Sequence, residues 1–314
     1  GVRRGPLLAV PLLAAARARA AAPMAYVPNE KAGTISVIDT STDQVVRQLD
    51  VGGRPRGLAL SSEGRRLFVS DESRPGLVLV DASDGVVRAS VALGKSPEGL
   101  SLSPDGALIA VAVEEENKVA LVDARALQVI ASIATEGKNP EHAVFSPDGR
   151  WLYASAEDAS QVDVIDVASR RQVGAVPVAR RPRGIAFTPH ARWAWVACEL
   201  DDAVFLVDVA RHAVAARLPG GAFCNGVAVS GDGARVYVSN GRGASVSVID
   251  AAARQVVATV AVGQRPWNMA LTPDGARLYV ANGRSNSVSV VDTAALRKLR
   301  DIDVGQAPWG VVIG

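Results

Sequence analysis

Seven residues at equivalent positions of a recurring loop are the best candidates for chemistry in this 314-residue chain. They recur at an almost constant interval and are Arg56, Glu98, Glu141, Arg183, Asn225, Trp267 and Trp309. Each follows a proline, except that Cys224 precedes Asn225. Charged and aromatic residues at such positions predict a ligand- or partner-binding surface, because loops on a rigid scaffold are favoured functional positions. The alternative is that the charges are merely solvated and the tryptophans fill space.

The carboxylates in this set also allow a catalytic interpretation. Glu98, Glu141 and the adjacent His142 are proton-transfer groups, and the two arginines would stabilise an oxyanion, so a lactonase-type hydrolase is one hypothesis. The sequence contains no serine nucleophile elbow, phosphate-binding loop or dinucleotide fingerprint. A non-catalytic binding or scaffold protein is therefore favoured, and no catalytic residue or cofactor is assigned.

The spacing of these residues belongs to a repeat that organises the whole chain. Seven short alternating runs end in an aspartate, at Asp39, Asp81, Asp123, Asp166, Asp208, Asp250 and Asp292. An interval of 42 or 43 residues with several short strands per unit is typical of β-propellers. We predict an all-β, seven-bladed propeller of four-stranded antiparallel blades, as one domain over residues 24–314. The aspartates are predicted to cap turns and not to bind metal.

The count of strands predicts how the ring closes. Only six turns join a first to a second strand, and the missing first strand matches residues 308–313, whereas the first repeat starts with a second strand at residues 25–29. The C-terminal strand is therefore predicted to lie innermost in the N-terminal blade. In one turn Ala191 replaces the usual glycine. We expect a different turn there, because a left-handed alanine costs roughly 1–2 kcal/mol.

The histidines and cysteines do not form a recognisable metal motif. His142 with Glu98 and Glu141 is the one combination that could bind a metal, but a solvated histidine is favoured and no metal is assigned. Cys198 ends a second strand and Cys224 lies in the loop entering the next blade, so both are predicted near one blade junction. An oxidising compartment would permit a disulfide between them. Two separate small core residues are almost as well supported.

Composition and the N-terminal residues restrict the class of protein. The formal net charge is +2, with 34 basic and 32 acidic residues, which argues against a dedicated nucleic-acid binder. A basic start, a short apolar run over residues 6–16 and the sequence Ala18-Arg19-Ala20 predict a signal peptide over residues 1–20. No later apolar run is long enough to span a bilayer. The mature protein is therefore predicted to be periplasmic or secreted.

Several short motifs resemble those of a known family. The stretches Tyr26-Val27-Pro28-Asn29, Tyr237-Val238-Ser239-Asn240 and Tyr279-Val280-Ala281-Asn282 resemble the name motif of YVTN β-propeller repeats. The segments 262–267, 282–286 and 305–312 are more similar to the subgroup called PQQ-dependent catabolism-associated β-propeller proteins. This resemblance implies a periplasmic accessory to a quinoprotein alcohol-oxidation system. It carries no catalytic residues over to this chain.

Three hypotheses remain for the function of the propeller. In the first, it binds a quinoprotein dehydrogenase, a c-type cytochrome or a small molecule at the channel mouth and has no catalytic activity. In the second, it is a lactonase-type hydrolase. In the third, it binds a haem, as in the cytochrome d1 domain that YVTN repeats resemble, for which His142 would have to be the axial ligand.

Overall fold

The computed structural model describes residues 22–314 as seven four-stranded antiparallel sheets, the blades A to G in chain order. This confirms the predicted seven-bladed propeller. The signal peptide predicted for residues 1–20 lies outside the described residues. No helix in the described part of the chain is long and apolar enough to cross a membrane.

Each blade runs from a first strand beside the central channel to a fourth strand at the rim. The strands of blades A to C are β1 (Met24–Asn29), β2 (Thr34–Asp39), β3 (Gln44–Asp50), β4 (Pro55–Leu60), β5 (Arg66–Asp71), β6 (Gly76–Asp81), β7 (Val87–Ala92), β8 (Pro97–Leu102), β9 (Leu108–Val113), β10 (Lys118–Asp123) and β11 (Gln128–Ala134). Those of blades D and E are β12 (Pro140–Phe145), β13 (Trp151–Ala156), β14 (Gln161–Asp166), β15 (Arg171–Pro177), β16 (Pro182–Phe187), β17 (Trp193–Cys198), β18 (Ala203–Asp208) and β19 (Ala213–Pro219). Those of blades F and G, with the closing strand, are β20 (Cys224–Val229), β21 (Arg235–Asn240), β22 (Ser245–Asp250), β23 (Gln255–Ala261), β24 (Pro266–Leu271), β25 (Arg277–Asn282), β26 (Ser287–Asp292), β27 (Arg297–Asp303) and β28 (Val312–Ile313).

The hydrophobic core of the described chain is divided among the blade junctions. Seven clusters of buried side chains occur, and each combines residues of two neighbouring blades. At the A–B junction, for example, Ile35 and Val37 pack with Leu67 and Val69. Because the second and third strands face a neighbouring blade on each side, they are buried almost throughout, while the fourth strands are mostly exposed. The stability of each blade therefore depends on its neighbours.

The ring closes within blade A, as the sequence predicted. Strand β28 pairs antiparallel with β1 through Tyr26 with Val312 and Ala25 with Ile313. Met24 and Gly314 exchange two backbone hydrogen bonds of 2.9 and 3.1 Å. The strand is shorter than predicted, because residues 309–311 form no ladder pair with β1 and only an isolated bridge joins Asn29 to Pro308.

The repeat aspartates cap the turns between third and fourth strands. The carboxylate of each accepts a hydrogen bond from a backbone N–H two or three residues further on, at Asp39, Asp81, Asp123, Asp166, Asp208, Asp250 and Asp292. These turns lie at the opposite end of the blades from the loops that carry the ring residues. The structural role predicted for the aspartates is confirmed.

The turn at Ala191 corrects one expectation. Its N–H donates to the carbonyl of Thr188 at 2.9 Å, as the Gly106 N–H does to Ser103 at 2.8 Å in a standard turn. Ala191 has a φ of 53°, close to the 71° of Gly106. Blade E therefore keeps the same turn and accepts a left-handed alanine, because the pairing of β16 with β17 fixes the length of the connection.

Candidate functional site

The seven ring residues meet at one end of the central channel. Together they line a cavity of ≈ 220 Å³, which we call the channel mouth. Each sits at the second position of a first strand, or in blade A just before β28, so the propeller's symmetry brings them to one level. His142 lies one position further in and lines a second cavity of ≈ 120 Å³ deeper in the channel.

A second series of glutamates also reaches the mouth, and it was missed in the sequence. Directly after the second strand, five consecutive blades carry Glu30, Glu72, Glu114, Glu157 and Glu199. Blades F and G carry Gly241 and Gly283 at this position. The signal that would have revealed these glutamates is their spacing of 42 or 43 residues, equal to that of the aspartates. They turn the mouth into a dense array of alternating charge.

On blades A to C the charges pair across the blade junctions. Arg56 contacts Glu98 and lies 3.1 Å from Glu30 and 3.0 Å from Glu72. The hydroxyl of Ser96 lies 2.9 Å from a carboxylate oxygen of Glu98 and 2.9 Å from one of Glu114. Each predicted ring charge is therefore held by a neighbouring blade.

On blades D and E one buried arginine organises three carboxylates. The guanidinium of Arg183 lies 2.5 Å from Glu141 and 3.3 Å from Glu199, and it also contacts Glu157. Arg181 lies 3.1 Å from Glu157 and 3.2 Å from Glu199. Glu199 is completely buried, and the guanidinium groups of Arg181, Arg183 and Arg265 surround its carboxylate.

This packing moves the pKa values of the carboxylates in opposite directions. Burial, and then the charge of Glu141, raise the pKa of Glu157 to about 8. Burial would also raise the pKa of Glu141, but the positive charges led by Arg183 outweigh it and leave that pKa below its usual value. Glu141 is thus ionised at neutral pH, whereas Glu157 holds its proton to a higher pH than an ordinary glutamate.

Three carboxylates of the mouth come as close together as metal ligands. Oxygen atoms of Glu114, Glu141 and Glu157 all lie within 4.8 Å of one another. Arg183 contacts two of these groups, so a guanidinium already supplies the positive charge that a cation would bring. His142 makes no hydrogen bond to Glu98 or Glu141, and both its ring nitrogens lack a hydrogen-bonding partner among the described residues.

A plug of two aromatic rings closes the channel below the mouth. At the third position of the first-strand segment, five blades carry Gly57, Gly99, Gly184, Gly226 and Gly310, and the other two carry His142 and Asn268. A Cβ on Gly57 or Gly184 would lie 2.5 Å from the backbone of the next blade, so only glycine fits there. His142 instead projects inward and stacks on Trp309 from the far side of the ring, with ring centroids 5.4 Å apart. The structure therefore assigns Trp309 to the plug.

The plug also bears on the haem hypothesis. Burial lowers the pKa of His142, which leaves a neutral imidazole. One face of that imidazole is covered by Trp309, and the cavity next to it measures ≈ 120 Å³, far less than a haem needs. The residues around His142 do not fit a haem.

The two cysteines lie together but are not bonded. Both are buried free thiols, so the structure does not form the disulfide considered from the sequence. The thiol of Cys224 lies 3.3 Å from the carbonyl oxygen of Cys198, across the junction of blades E and F. Burial raises the pKa of each thiol to about 12. The structure thus places them as small core residues.

Comparison with known proteins agrees with this architecture. A family model described as the YNCE-like β-propeller matches residues 20–313. The chain belongs to the YNCE-like β-propeller family. Over 46 residues this YNCE-like propeller is 48% identical to the protein called YncE in Salmonella typhi and, equally, in Salmonella typhimurium. That stretch covers 15% of the chain and only 13% of each Salmonella protein.

Solved structures support the fold of this YNCE-like propeller. A chain of hydrazine synthase from Kuenenia stuttgartiensis superposes with a TM-score of 0.79 at 24% identity, covering 86% of this chain and 92% of that one. A protein of unknown function from Desulfotomaculum acetoxidans gives 0.83 at 16% identity, covering 92% and 98%. At these identities the likeness shows the fold alone.

Proposed function

We propose that this YNCE-like propeller is a non-catalytic binding protein that uses its channel face to hold a partner. The observation that supports this is the pairing of the mouth charges with one another. Glu98 is held by Arg56, and Glu141 is held by Arg183. Carboxylates fixed in this way stiffen the channel face but are poorly placed to take a proton from a substrate. A rigid, prearranged surface lowers the entropic cost of association.

The part of this face over blades C and D best suits a partner segment that carries positive charge. The channel-face loops of blades C and D present Glu115, Glu116 and Asp158 to solvent, next to the mouth. Complementary charge steers encounter and selects partners. Together with the predicted signal peptide and the resemblance to PQQ-associated propellers, this favours a periplasmic accessory role. The partner would be a quinoprotein dehydrogenase or its c-type cytochrome.

A pull-down tests this function with a matched charge control. The tagged mature protein is incubated with periplasmic extract, and retained proteins are identified by mass spectrometry and haem staining. We expect the wild type to retain a quinoprotein or a cytochrome and the variant Glu115→Lys, Asp158→Lys to lose it. The control Glu63→Lys, Asp84→Lys makes the same charge change at the opposite end of the blades and should retain it. Equal retention by both variants, or none by the wild type, would contradict the proposal.

A further inference from the structure

A third cavity lies beside the mouth, over blades F, G and A. It measures ≈ 490 Å³, within the usual range for small-molecule sites. We call it the basic groove, and the residues that give it its character are Lys31, Phe223, Arg242, Arg265, Trp267 and Arg284. Glu30 also lines it, but its carboxylate is held by Arg54 and Arg56. The groove therefore combines cationic and aromatic walls.

The two glycines that replace the mouth glutamates create this groove. A Cβ on Gly283 would lie 3.0 Å from the indole of Trp267, and one on Gly241 would lie 2.7 Å from the guanidinium of Arg265. The glycines thus allow both side chains to lie flat against the loops. Where blades A to E place a carboxylate, blades F and G leave open space.

The cations of the groove fall into two groups. Arg265 is engaged, because its guanidinium forms an ion pair of 2.8 Å with Glu199. Lys31, Arg242 and Arg284 instead make no side-chain hydrogen bond or ion pair with any residue of the 22–314 range. All three are exposed at the rim of the cavity. Three uncompensated cations around one cavity are a site for a multiply charged anion.

The aromatic walls define the rest of the ligand. Trp267 lines both the groove and the mouth, and Phe223 stacks with Arg242 at 4.0 Å. Rings and guanidinium planes favour a flat, conjugated body over a flexible chain. We infer that the basic groove binds a planar aromatic polyanion, its anionic groups held by Lys31, Arg242 and Arg284 and its ring against Trp267. This inference rests on the proposed binding function, for which it names a class of small ligand.

Calorimetry with simple probes tests the inference. Benzene-1,3,5-tricarboxylate supplies three carboxylates on a ring, and propane-1,2,3-tricarboxylate supplies the same charge without the ring. We expect the aromatic probe to bind about tenfold more tightly than the aliphatic one. Arg242→Gln and Arg284→Gln should each weaken the aromatic probe about tenfold, as expected for loss of a charge-assisted hydrogen bond. Arg297→Gln, an equal charge change on the exposed outer strand β27, should leave its affinity unchanged.

Three results would overturn the inference. The first is no binding of the aromatic probe at millimolar concentration, and the second is an affinity for the aliphatic probe or for inorganic phosphate equal to that for the aromatic probe. The third is wild-type affinity for the aromatic probe in both Arg242→Gln and Arg284→Gln. The pull-down is repeated with the Arg242→Gln and Arg284→Gln variants. It distinguishes an error in the ligand site from an error in the proposed partner-binding function. Retention of the protein partner without probe binding would refute only the ligand site. Probe binding without a retained partner would refute only the accessory role.

Discussion

The imidazole of His142 and the indole of Trp309 stack across the central channel, with their planes inclined by 22°. The two residues come from blade D and from the segment that closes blade A, so the contact bridges the full width of the ring. At the repeat position of His142 five blades carry glycine, so no other imidazole enters the channel at this level. The stacked pair thus forms a floor between the mouth and the deeper cavity, both of which Trp309 lines.

Replacing His142 by glycine should open this floor while keeping the backbone that five blades already use. We expect a loss of about 0.5–1.5 kcal/mol, the value of an aromatic pair. Acrylamide should quench tryptophan fluorescence more strongly in His142→Gly, because Trp309 becomes accessible. The same change in a Trp309→Phe background should add no quenching. Unchanged quenching in the single variant would show that the stack does not seal the channel.

Replacing Arg183 by methionine should destabilise the protein by about 3–5 kcal/mol, because buried carboxylates lose their counter-charge. Urea unfolding at pH 7 measures this loss. Part of the stability should return at pH 5, where the carboxylates take up protons. Arg180→Met is the control, since Arg180 is 67% exposed and solvent screens its pair with Asp201. Similar losses in the two variants would contradict the role of Arg183.

The raised pKa of Glu157 predicts a pH-dependent stability. In the unfolded chain a glutamate loses its proton near pH 4.3, whereas folded Glu157 keeps it up to about pH 8. Its contribution is therefore fully present below the unfolded pKa and is lost as pH rises through the folded one. The melting temperature of Glu157→Gln should match the wild type at pH 5 and exceed it by about 2 °C or more at pH 8.5. The exposed Glu63→Gln should show no such trend between these pH values.

Removal of residues 307–314 should lower the stability of the whole propeller, because it opens the faces of blades A and G and removes the plug residue Trp309. We expect one cooperative transition at a melting temperature lower by about 2–4 °C for each kcal/mol lost. A synthetic peptide of residues 307–314 added in excess should restore part of the loss by binding the folded ring. A truncated protein that melts like the full chain would refute closure by β28.

The alanine in the blade E turn offers a stabilising change. Ala191→Gly should relieve the left-handed strain at a small entropic cost in the unfolded chain, for a net gain of about 0.5–1 kcal/mol. Thermal melting measures this gain. The reverse change in an equivalent turn, Gly106→Ala, should cost a similar amount. A loss of stability in Ala191→Gly would show that the turn is not strained.

Much of the fold was predictable because its repeat interval is almost constant. The aspartate caps, the seven-fold count and the level of the ring residues follow directly from it. The plug did not follow, because the contact of His142 with Trp309 depends on the channel radius, which only the closed ring determines. The turn at Ala191 was predicted wrongly because strand pairing on both sides outweighed a local preference. The glutamate series was visible as a spacing, but its partners across the junctions were not.

The hydrogen bonds between Met24 and Gly314 join β1 to the closing strand at one place in the ring, which we call the seam. Because the two residues touch, a short linker between them would make the backbone of the propeller continuous. A circular permutant cut in another exposed turn would then keep every strand pair of the ring. The position of the seam in blade A is therefore one of several equivalent choices, and the packing of the seven junctions does not depend on it.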